Sequence, residues 1–143
     1  MNIIGILYPL GAAVIWGLVY TLDQKILLKL SPMNLIFMNS LLNIIFILPF
    51  FVLDPSASKP FFSLDKNTFY LIVVVQAMSM SAAFLILSGI KILGAPLVSS
   101  FEISYPFFVA IFSLFLLGGS LNLYFWLGSL LIFAGSMIIV KFG

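Results

Sequence analysis

The chain contains no cysteine and no histidine. Those two absences remove disulfides, thiolate chemistry and imidazole metal sites, together with the commonest general base. Metal enzymes and triad hydrolases are poor candidates, and no cofactor is implied. Charge is scarce as well: 7% of residues are charged, where a soluble domain carries roughly 25%. The basic residues are lysines spread thinly over loops and ends, so there is no stripe of positive charge to track a nucleic-acid backbone. What remains is apolar. With 64% of its 143 residues hydrophobic, the sequence is that of an integral membrane protein lying in a lipid bilayer, with no soluble domain and no internal repeat.

Apolar runs long enough to span a bilayer, about 20 residues at 1.5 Å rise, predict an all-α bundle of five transmembrane helices. They cover about 3–22, 33–53, 68–90, 95–118 and 122–140, within a single domain over 1–143. The first run is longer than the apolar core of a signal peptide and follows no positive segment, so it reads as a span. Pro9 lies inside it and is expected to kink it. Asp23, Gln24 and Lys25 read as a polar connection, closed by Ser31-Pro32 as cap and first residue of the second helix. The stretch 54–67 gathers prolines, serines and charge and reads as a loop outside the hydrocarbon, with Phe61, Phe62 and Leu64 resting on the headgroups. Gly94 ends the third helix and Pro96 restarts the chain in the fourth, which makes the two antiparallel neighbours. Gly128-Ser129 and Gly135-Ser136 place small residues along the fifth helix, a stripe suited to an oligomer contact.

Polar residues inside these runs are the candidate site. Glu102 is the one acid placed well inside an apolar run, and it lacks a second carboxylate for acid-base catalysis, so an enzyme is not expected. If Pro96 marks the surface, Glu102 lies roughly 9 Å into a core about 30 Å thick. An ionised acid there costs at least ~2.5 kcal/mol, so it must face a cavity, a partner or a proton. Pro106 cannot donate to the carbonyl of Glu102, which predicts a kink beside the carboxyl. Ser99 and Tyr105 fall one turn to either side. Asn39 and Asn43 share a face of the second helix, and Gln76 lies on the third; each reads either as helix packing or as substrate contact. Trp16 lies too deep for an interfacial belt and reads as packing or as a cavity wall. Glu102 itself could instead be an anchor bonded to Asn39, Asn43 or Gln76.

Five spans put the termini on opposite sides. Lys25, Lys29, Lys91 and Lys141 fall with the C-terminus and Lys59 and Lys66 with the N-terminus, a bias toward N-out and C-in in a cell (inner or plasma) membrane.

Trp16-Gly17 in the first run, Leu30-Ser31-Pro32 opening the second, Gly94-Ala95-Pro96 opening the fourth, Pro106 within it, Leu117-Gly118, Leu127-Gly128 and Ala134-Gly135 follow one another in an order that resembles a single EamA-type domain of the drug/metabolite transporter superfamily. Asn39 and Gly119 stand where members often carry arginine and glutamate. The resemblance implies one five-helix half of an inverted-repeat transporter, working as a homodimer, antiparallel by preference, or as a heterodimer with a second five-helix half. The expected function is secondary transport of a small polar metabolite or amino-acid-like solute, proton-coupled through Glu102. The alternative is a subunit without its own path, half of a lipid-linked sugar flippase or an accessory subunit of a larger complex.

Overall fold

The computed structural model describes residues 3–54, 63–118 and 120–142; the reading of Phe61 and Phe62 on the headgroups lies outside them. Among the described residues, six α-helices follow in order: α1 (Ile3–Leu27), α2 (Pro32–Leu53), α3 (Lys66–Leu93), α4 (Ala95–Glu102), α5 (Tyr105–Leu117) and α6 (Leu123–Phe142), and no strand occurs. They supply five segments long and apolar enough to cross a membrane, the fourth being α4 and α5 in succession. The five-span all-α architecture is therefore present. The chain divides into two compact units, one made of residues 25–88 and the other of residues up to Gln24 together with those from Gly89 onward.

In the unit of residues 25–88, helix starts are capped from the sequence. The Ser31 hydroxyl accepts from the Asn34 N–H at 3.2 Å, with Pro32 opening α2. Asp65 does the same for α3, its carboxylate accepting from the Thr68 N–H at 3.1 Å. Those bonds from Thr68 hold the Asp65 carboxyl below its ordinary value, and they start α3 two residues before the expected Thr68. Interior is scarce: Leu27, Leu35, Ile36 and Leu87 are buried, while most large apolar side chains of α2 and α3 point outward. In a bilayer that is no liability, because lipid tails solvate them as well as protein does. Ser40 and Ser81 each donate to the carbonyl four residues back in their own helix, so these hydroxyls carry no tertiary bond. Ser79, near the middle of α3, is exposed.

The other unit holds three departures from the expected course. First, α1 does not stop at Leu22. It runs to Leu27, so Asp23 and Gln24 are helical rather than part of a connection, and Asp23 is buried at 8% exposure. Straight-chain Gln and Lys are good helix formers, and the helix has no reason to end where polar residues begin. Second, the fourth span is interrupted rather than bent. The Ile103 N–H still bonds the Ser99 carbonyl at 3.0 Å, but the Ser104 N–H bonds Phe101 at 3.1 Å, a tighter turn after which α5 starts anew. Pro106 sits in the first turn of α5, where its missing N–H and its ring cost nothing. Third, the serines of the small-residue stripe face inward. Helix α6 packs against both α4 and α5; Ser129 and Ser136 are buried, and Ser104 reaches the Ser136 hydroxyl at 3.4 Å. Of the stripe, Gly128 and Gly135 keep open space where a Cβ would stand.

Candidate functional site

The turn into α4 sets the geometry of the site. Gly94 adopts φ 85° and ψ 158°, which only glycine occupies freely, and it has no side chain to cap the helix that follows. The missing cap comes from α1: Gln24 Oε1 accepts from the Ala95 N–H at 2.7 Å. Gly89 lies close by, where an added Cβ would meet Val98 at 3.1 Å, so the end of α3 approaches α4 tightly.

At the far end of α4 the Tyr20 hydroxyl donates to Glu102 Oε1 at 2.7 Å. Helix α1 thus bonds the first and the last residue of α4, through side chains one turn apart on its own surface. The Tyr20 ring lies 5.7 Å from that of Trp16, tilted by 56°. Asp23 continues the same face of α1, three residues beyond Tyr20. Glu102 is half-buried, with one carboxylate oxygen bonded to a phenol. Such a group can take a proton or pair with a cationic or hydrogen-bond-donating solute.

Among the other expected site residues, Trp16 shares this neighbourhood and remains 56% exposed. Ser99 is half-buried, and its hydroxyl donates to the Pro96 carbonyl at 3.0 Å, so its proton is committed within α4. Tyr105 falls beyond the interruption, at the start of α5, and is 60% exposed; the break in the helix separates it from the turn of Ser99 and Glu102. Pro9 lies inside α1. Asn39, Asn43 and Gln76 belong to the other unit, on exposed positions of α2 and α3. The hydrogen-bond partner that the structure gives the Glu102 carboxylate is Tyr20. No group of three or more potential metal-ligating acids, histidines or cysteines occurs among the described residues.

Tyr20 and Asp23 are the residues that reading the sequence missed. The available signal was helical spacing: Trp16, Tyr20, Asp23 and Leu27 recur every three or four residues, the pattern of a single face. Ending the helix at the first charge hid it.

The sequence profile of the EamA-like transporter family matches residues 3–141. No match was found among curated proteins or among solved structures.

Proposed function

We infer the function from one premise: the chain belongs to the EamA-like transporter family, and with five membrane-crossing segments it is a multi-pass membrane protein with a transport role. We propose that it supplies one five-helix half of a secondary transporter, moving a small polar metabolite or amino-acid-like solute by alternating access. The observation that carries this reading is the half-buried carboxylate of Glu102 within the fourth span, held at 2.7 Å by Tyr20. An acid at that depth must exchange its charge with something, and a proton or a cationic group on the solute is the simplest partner.

The pairing follows from the count of spans. An odd number inverts one half relative to the next, and inverted-repeat transporters place their path at the midplane between halves. A second copy in the opposite orientation, or a different five-helix half, would close the other wall of the site. Exposed carboxamides at Asn39, Asn43 and Gln76 support a polar neighbour for the unit that carries them, since lipid leaves their donors unpaired. The lysine bias favours a copy with its N-terminus outside and its C-terminus in the cytoplasm.

The test is flux in proteoliposomes loaded with a pH-sensitive dye and challenged with a panel of amines and amino acids. Glu102→Gln should abolish solute-driven proton movement. Undiminished flux with an unchanged pH profile would remove the coupling role.

A further inference from the structure

We propose that Tyr20 is the positioning residue of the Glu102 site: its hydroxyl holds one carboxylate oxygen and leaves the other to the proton or to the donor group of the solute. The purpose of this arrangement rests on the transport reading above; its geometry does not.

The geometry has two parts. Helix α4 is only eight residues long, and α1 bonds it at both ends, through Gln24 to the Ala95 N–H and through Tyr20 to Glu102. Four residues on α1 advance about 6 Å and seven on α4 about 10.5 Å in the opposite sense, a difference that two long side chains absorb. Immediately after Glu102 the helix breaks, so beyond that point the carboxylate has no continuous helix to steady it. Tyr20 is the group that fixes it from outside α4, and the Trp16 ring beside it limits where the phenol can swing.

The chemistry follows from charge. A hydroxyl bonded to an ionised carboxylate makes a charge-assisted hydrogen bond, stronger than the same contact to a neutral acid. Tyr20 therefore steadies the charged carboxylate and yields to an arriving cation. The other ionisable groups of the elements around it are few. Asp23 is buried one turn along α1, whereas Tyr8, Lys25, Lys91, Tyr105, Tyr124 and Lys141 are all exposed. No charged side chain besides Glu102 lies on α4 or α5.

Dicyclohexylcarbodiimide, an apolar reagent that labels protonated carboxyls inside membranes, reads the state of Glu102 without any solute or flux. The full chain in liposomes is labelled across pH and the adduct at Glu102 is quantified by mass spectrometry, with Glu102→Gln as the blank. Tyr20→Phe keeps the ring and removes the donor. It should speed labelling at a given pH roughly tenfold to a hundredfold, because a bond to a charged group changes an equilibrium by about that factor. Difluorotyrosine at position 20, a more acidic phenol and a stronger donor, should slow it. A labelling rate unmoved by both changes at Tyr20 would overturn the proposal and reduce the contact to packing. Loss of the transport reading would show instead in the flux assay with Glu102→Gln, so the two failures are separable.

Discussion

Replacing Gly94 with alanine is expected to destabilise the protein by backbone strain alone, and the neighbouring atoms show why. At φ 85° and ψ 158° the residue occupies a region essentially reserved for glycine, where a side chain costs about 1–3 kcal/mol. An added Cβ would meet the Gln24 amide at 3.5 Å, an ordinary contact, so no clash is added. Restricting the unfolded chain returns about 0.4–1 kcal/mol, which leaves a net loss of roughly 1–2 kcal/mol. Gly118 is the internal control. It is left-handed too, at φ 62° and ψ 22°, but in the helical region that asparagine tolerates, with nothing within 4 Å of a Cβ. Asparagine at 118 should therefore be nearly neutral, while Gly94→Asn should cost as much as Gly94→Ala. Reversible unfolding in mixed micelles measures all three variants. Recovery of stability by Gly94→Asn would refute the argument, since it would mean that the turn can relax into the left-handed helical region.

Ser136→Leu puts three extra carbons into the seam where α6 meets α4, at a residue 2% exposed, and should cost about 1–3 kcal/mol in the same assay; Gly135→Ala, with open space around its Cβ, should leave unfolding unchanged. At the start of α3 the Asp65 carboxyl is held below its ordinary value of 3.8 by its bonds from Thr68. Its cap is therefore complete above that value and is lost as pH falls through the lower, folded one. The Thr68 amide resonance followed across the acid range should show this titration, and Asp65→Asn should abolish it.

How much was legible in the sequence depends on the kind of residue. Ser31-Pro32 and Gly94 with Pro96 act locally, by cap bonds, a fixed φ and a missing Cβ, and the structure places each boundary where those properties put it. Asp23 illustrates the opposite case. Whether a helix continues through a polar triplet depends on what its far face meets, and the Ala95 N–H that Gln24 bonds is 71 positions further along the chain. The site divides in the same way: Glu102 was visible as an acid inside an apolar run, while its partner Tyr20, separated by 82 positions, was one tyrosine among five.

By itself, then, the sequence determined that this is a five-span helical membrane protein with an acid in its fourth span. Hydrophobic length and the cost of an unpaired charge in hydrocarbon are properties of each segment alone. Only the tertiary structure decided which helix meets that acid, where the fourth span breaks, and that the serines of α6 turn inward. Lipid solvates every apolar face of these helices about equally, so hydrophobicity along the chain does not choose between faces; small residues, hydrogen bonds and close packing choose, and they do so only once two helices are in contact.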